Sequence, residues 1–161
     1  MTKRLERTAS LLLALFVVSG SADVSARGDE TDAVALATKI LDQGAAEFSR
    51  KNAGVMAMSF TEDAVFRFVT RDGDGLKTES GTGRTEIEGY YKKLFDNDQT
   101  IIAKNTVMQA RFLAKDLLLV SGSFQPDTNQ PKLVVQFVQI RKKVGEHWLI
   151  RDMQVFYLPE E

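Results

Sequence analysis

The sequence predicts an α+β domain in which three helices from the first half of the chain pack on one face of a curved antiparallel sheet of about six strands. Two observations carry this. Apolar residues recur at helical spacing from Ala33 to Phe60, and the period then switches to the alternation of a strand at Ala64. After Thr100, four segments at 101–113, 116–125, 132–143 and 147–158 are rich in Val, Ile, Leu and Phe. Only short polar breaks divide them, which demands antiparallel neighbours.

The chain opens with a different signal. Lys3, Arg4 and Arg7 precede an apolar run from Leu11 to Val18, and Val24-Ser25-Ala26 forms a small-x-small cleavage site, with Gly20-Ser21-Ala22 as the second choice. The run falls short of the roughly 20 apolar residues that span a bilayer. Residues 1–26 are therefore expected to be a secretory signal peptide. Residues 27–161 are expected to form one exported domain, periplasmic or secreted, with no stable membrane anchor after cleavage. Residues 27–31 are polar and read as a frayed new terminus.

A first helix is predicted at about 32–50, with Asp32 as N-cap and Ala33, Ala37, Ile40, Leu41, Ala45 and Phe48 on its apolar stripe. Asn52 is placed to cap a short second helix carrying Val55, Met58 and Phe60 and ending near Thr61-Glu62-Asp63. Ala64 to Thr70 reads as a strand, Arg71 to Gly75 as a turn, and Leu76 to Ser80 as the returning strand of a hairpin. Thr85-Glu86-Ile87-Glu88 has the pattern of a capping box for a third helix at about 85–97, with Ile87, Tyr90, Tyr91, Leu94 and Phe95 on one stripe.

Charge and composition exclude several functions. The formal net charge is −1, and removal of residues 1–26 leaves two more acidic than basic residues, so the basic excess of a nucleic-acid-binding surface is missing. The chain has no cysteine and one histidine, which rules out a zinc site built from thiolate and imidazole and leaves the fold to rest on its core. "TRDGDG" (70–75) opens like a calcium loop but lacks the later oxygen ligands and the closing Glu. The Gly81-x-Gly83 pair lacks the strand-then-helix setting of a dinucleotide site. No metal and no cofactor is implied.

Four stretches carry a family resemblance: "MSFTEDAVFRF" (58–68), "GTGRTEIEGYYKKLF" (81–95), "FLAKDLLLVSGSF" (112–124) and "QFVQIRKKVGEHWLIRDMQ" (136–154). In that order and spacing, over about residues 32–158, the chain resembles the nuclear transport factor 2-like superfamily, and within it the small exported bacterial SgcJ/EcaC-type and SnoaL-like proteins. The resemblance implies a cystatin-like cone, a bent sheet whose concave face is closed by helices around an apolar pocket, with a dimer surface on the outer sheet. It also implies a test of chemistry. Ketosteroid isomerases of this superfamily use an Asp base with an oxyanion hole made of a Tyr and a protonated Asp. The matching positions here fall at Phe68 or Arg67 for the base, near Gln136 for the Asp and near Gly44 for the Tyr. None of these can take the required role, so that isomerase reaction is not expected.

The remaining candidates come from strand and helix faces. Phe66 and Phe68 read as an apolar pocket wall, and Tyr90 and Tyr91 as helix residues that either fill the core or turn a hydroxyl into the cavity. Gln136 shares a strand face with Val134, Val138 and Ile140, where a lone amide either orients a ligand or satisfies a protein neighbour. Period two places Trp148, Ile150, Asp152 and Gln154 on one face, which the Trp would turn towards the interior. There desolvation would raise the Asp152 carboxyl pKa, the property a general acid or base needs, unless Asp152 pairs with Arg111 or Arg67. His147, at a turn beside Glu146, is expected to face solvent. Three readings follow: a domain binding a small apolar or amphipathic molecule without catalysis, a SnoaL-like acid–base enzyme using Asp152, or a homodimerisation module.

Overall fold

A computed structural model describes residues 22–73, 75–96, 102–127 and 134–158. The element order is α1 (Ala22–Ser49), α2 (Ala53–Met58), β1 (Phe60–Asp72), β2 (Gly75–Thr82), α3 (Gly83–Phe95), β3 (Ile102–Ala114), β4 (Leu117–Asp127), β5 (Val135–Val144) and β6 (His147–Tyr157). Most of the expected signal segment lies outside the described residues. Residues 22–26 belong to the first turns of α1, which starts ten residues before the expected N-cap at Asp32 and includes residues 27–31. The stretch from Ala22 to Asp32 contains no Pro, and its one Gly costs a helix only about 1 kcal/mol, so the helix runs through it.

Helix α1 buries Ala33, Ala37, Leu41 and Ala45, spaced four apart on one face. Three of the four are alanines, and this small-residue stripe lets the helix backbone lie close to the sheet, mainly on β3. Asn105 of β3 fixes that contact by donating from Nδ2 to the Leu41 carbonyl at 2.9 Å. Asn52 caps α2 as expected, its Oδ1 accepting from the Val55 N–H at 3.1 Å. The buried face of α2 is Ala53, Met56 and Ala57, whereas Val55 and Met58 of the expected stripe are exposed. Helix α3 begins two residues early. The Glu86 carboxylate accepts from the Thr82 N–H at 2.8 Å, so Glu86 supplies one half of a capping box and Thr82, without a side-chain bond, stands at the cap.

The sheet runs in the order β2-β1-β6-β5-β4-β3. All neighbours are antiparallel except β1 and β6, which pair in parallel through registers such as Val65↔Asp152 and Phe68↔Val155. The all-antiparallel expectation is corrected there. Short connections dictate antiparallel pairing only for strands adjacent in the chain, and β1 meets β6 across the rest of the domain.

Curvature has identifiable causes. Register shifts occur in β3 between Val107 and Gln109 and between Phe112 and Ala114, in β6 between Ile150 and Asp152, and in β1 between Phe60 and Val65. Each inserts residues that bend and twist the strand. Gly122 of β4 sits opposite the first of them, in register with Val107. A Cβ there would run into the Thr106 carbonyl oxygen and lie 2.9 Å from Phe137 Cζ, so this close approach of β3 and β4 is open only to glycine. The helices close the concave side of the bent sheet over a core that includes Phe60, Ile87, Leu118 and Val120, all fully buried.

Candidate functional site

The concave face and the three helices surround a cavity of about 1350 Å³ that opens to solvent. This exceeds the roughly 300–1,000 Å³ of sites that enclose drug-sized molecules, leaving room for an extended ligand. Its walls come from Leu36, Ile40 and Phe48 of α1, Met56 of α2, Tyr90, Tyr91 and Leu94 of α3, and the inward residues of the sheet. On β1 these include Phe66 and Phe68, on β6 Trp148, Ile150, Met153 and Val155, and on β5 Val135, Phe137, Gln139 and Arg141.

One side of the cavity is an aromatic wall. Phe66 lies 4.7 Å from Tyr90 and 6.5 Å from Tyr91 between ring centroids, and Phe68 lies 6.0 Å from Tyr90. Phe48 packs edge-on at 5.0 Å against both Phe95 and Phe124 at one end. Such pairs favour offset or edge contacts because the ring faces carry negative charge and the edges positive. Burial pushes the Tyr90 phenol up to about 12, with the Glu79 carboxylate adding to the effect. Burial raises Tyr91 still further, with a smaller push from Tyr90, and the Arg141 charge only partly offsets it. Both hydroxyls are therefore neutral hydrogen-bonding groups at ordinary pH.

The other end is polar. Arg141, 5% exposed, donates from Nε to Gln139 Oε1 at 2.8 Å and from Nη1 to the Trp148 carbonyl at 3.0 Å. Gln139, 4% exposed, donates from Nε2 to Met153 Sδ at 3.7 Å. Burial lowers the Arg141 pKa to about 10, opposed by the neighbouring Tyr91, which still leaves the guanidinium charged at neutral pH.

The predicted site residues divide cleanly. Phe66, Phe68, Tyr90, Tyr91 and Trp148 line the cavity. Gln136, Asp152 and Gln154 do not, because they lie on the outer face of the sheet. Cross-strand partners share a face, and these three pair with Phe156, Val65 and Val138 respectively, all outside the cavity. The period-two argument for β6 fails at a bulge. Arg141 pairs with Ile150 and Ile140 with Asp152, so Arg151 is an extra residue that reverses the alternation between Ile150 and Asp152. Trp148 and Ile150 point inward, then Met153 and Val155 do so in place of Asp152 and Gln154.

The Asp152 side chain is 39% exposed, and Arg151 Nε lies 3.9 Å from its Oδ2. Neither anticipated partner pairs with it. Arg111 lies on β3, three strand spacings or roughly 14 Å away, and Arg67 is in register with Gln154. The acid–base role given to Asp152 thus has no support from its position. His147 is exposed as expected, although it also borders the cavity.

Sequence reasoning missed Gln139 and Arg141. On β5 the aliphatic residues Val138 and Ile140 face outward while the polar pair faces inward, against the usual sorting of apolar and polar residues. The available signal was the pair itself, Gln139-x-Arg141, two polar side chains at strand period inside an apolar segment.

No family model matches the sequence, and no curated protein matches it. Solved structures share its fold. A domain of unknown function with a cystatin-like fold from Nostoc punctiforme has a TM-score of 0.61 at 19% identity, covering 81% of this chain and 80% of the other. A nuclear transport factor 2-like protein of unknown function from Shewanella oneidensis has a TM-score of 0.61 at 15% identity over 78% of this chain and 98% of its own. A candidate calcium/calmodulin-dependent protein kinase II association domain from Xanthomonas campestris has a TM-score of 0.56 at 20% identity over 92% and 95%. The chain has the nuclear transport factor 2-like, cystatin-like fold, a framework that does not by itself select an activity.

Proposed function

We propose that this chain is an exported binding domain of the SgcJ/EcaC or SnoaL-like kind that holds a small apolar or amphipathic molecule in its cavity and does not act on it chemically. The observation that carries the reading is the cavity itself, a volume of about 1350 Å³ lined on one side by Phe66, Phe68, Tyr90 and Tyr91. Phe66 and Tyr91 belong to the buried core and Phe68 and Tyr90 pack against it, and all four also border the cavity. Desolvating an apolar ligand against that wall contributes about 25 cal/mol per Å² buried. No cofactor enters the reading.

A second reading, self-association, rests on the outer face of the sheet. Val138 is 38% exposed there, with Val65, Leu119, Ile140 and Phe156 half-buried on the same face. A sheet face on which these apolar residues alternate with Gln136, Asp152 and Gln154 suits a second copy of the chain, and the Xanthomonas association domain of the same fold is named for assembly. The two readings are compatible, since one uses the concave face and the other the convex.

Trp148 is the only tryptophan and borders the cavity, so its emission reports on occupancy. Titration with decan-1-ol, an uncharged apolar probe, is expected to shift that emission saturably, and native mass spectrometry of the protein from its own envelope is expected to show a retained small molecule. A bare chain mass together with no saturable Trp148 response would reject the binding role.

A further inference from the structure

We infer that the occupant carries a carboxylate that docks on Arg141, with its apolar body lying along the aromatic wall; this rests on the ligand-binding reading above. Arg141 projects from the inner face of β5, in register with Leu118 of β4 and Ile150 of β6, both buried apolar residues. A charge so placed has lost most of its hydration and needs an opposite charge or a full set of acceptors. Among the described residues no Asp or Glu forms an ion pair with it. Its two protein acceptors, the Gln139 amide oxygen and the Trp148 carbonyl, are neutral.

The guanidinium has five N–H donors, and these two bonds leave three without an acceptor among the described residues. Nη2 has no protein acceptor among the described residues, yet it is not a sealed, unsatisfied atom, so it keeps access to the cavity that Arg141 lines. The other charged groups of the wall are either paired or exposed at its rim. Arg84 donates to the Phe60 carbonyl at 2.9 Å and lies 3.8 Å from Glu62, and Lys39 is exposed. Glu47 pairs with Arg50, and Glu146 is exposed on the turn between β5 and β6.

A planar fork with free N–H groups matches a carboxylate, which can accept two of them in one plane. From Arg141 the inward row of β5 passes Gln139 and Phe137 to Val135, which is in register with Phe124 at the aromatic end. The six steps from Val135 to Arg141 cover roughly 20 Å at about 3.4 Å each. The wall therefore suits a long or flat apolar acid with its anionic end at Arg141.

Decanoate and decan-1-ol, titrated against the full chain near neutral pH and read by Trp148 emission and by calorimetry, separate the anion from its apolar tail. Decanoate is expected to bind about 10- to 100-fold more tightly, the range of a charge-assisted hydrogen bond. Arg141→Met is expected to remove the preference, so that decanoate and decan-1-ol bind equally. Gln139→Glu is the second variant; it keeps the side chain's size and exchanges the Nε2 donor to Met153 Sδ for a second carboxylate oxygen. It sets a carboxylate where the amide oxygen now accepts from Arg141 Nε, neutralises the guanidinium from within the protein, and is expected to abolish the preference in a chain that circular dichroism shows to be folded. Equal binding of the two probes by the native chain would overturn the anion inference and leave the apolar-ligand reading standing. Failure of both probes to bind would overturn both. A preference that survives in both variants would place the anion away from Arg141.

Discussion

Replacing Gly122 with Ala tests whether the bend that opens the cavity is real. The added Cβ would meet two obstacles, the Thr106 carbonyl oxygen in the backbone of β3 and Phe137 Cζ at 2.9 Å. Carbon atoms rest at about 3.5–4.0 Å, and while the Phe137 ring can swing by a few tenths of an ångström, a carbonyl in a sheet ladder moves only with its strand. Overpacking of this kind costs about 1–3 kcal/mol, and a backbone obstacle puts Gly122→Ala near the top, at about 3 kcal/mol. For a domain of this size that is a fall in Tm of about 10 °C. The control is Gly89→Ala. Gly89 lies within α3 with nothing within 4 Å of a Cβ, so the same methyl is expected to stabilise by about 0.5–1 kcal/mol through helix propensity. Thermal and urea unfolding followed by circular dichroism measure both. A Gly122→Ala protein within about 1 kcal/mol of the native chain, at unchanged m-value, would refute the close approach and with it the stated cause of curvature.

Other outcomes follow from the site. Burial holds the Tyr90 phenol up at about 12, above its ordinary value of 10, so its contribution to stability is complete below pH 10 and is lost as pH rises towards 12. In an absorbance titration at the phenolate band, Tyr90→Phe is expected to match the native chain below pH 10 and to lack one ionisation near pH 12; a Tyr90 step at or below 10 would contradict the burial. Asp152→Asn is expected to change stability by less than about 0.5 kcal/mol and to leave decan-1-ol binding intact, since the carboxylate is part-exposed on the outer face. A large loss of binding in that variant would mean that the outer face takes part in the site.

Much of the scaffold was legible because it depends on local chemistry. Asn52 could be placed as a cap because a short amide that accepts a backbone N–H needs only its neighbours in sequence. The four late strands could be bounded to within a few residues because Lys115-Asp116 and Gly145-Glu146 interrupt apolar alternation. Phe66, Phe68, Tyr90, Tyr91 and Trp148 were identified because large rings on one helix stripe or strand face must pack together. The reading failed where alternation is ambiguous. Both faces of β5 contain apolar residues, so Val134, Val138 and Ile140 with Gln136 looked as interior as Val135 and Phe137 with Gln139 and Arg141.

By itself, then, the sequence determined the order and kind of the elements, the aromatic content of the wall, and the absence of thiol chemistry, all properties carried by residue type and short-range spacing. The tertiary structure alone decided which residues face the cavity. One extra residue at Arg151 turns Asp152 and Gln154 outward, and the pairing of β5 with its neighbours turns Gln139 and Arg141 inward. The physical reason is that a strand has two faces of equal local energy. Only cross-strand register, bulges and the helices packed on one side break that equivalence.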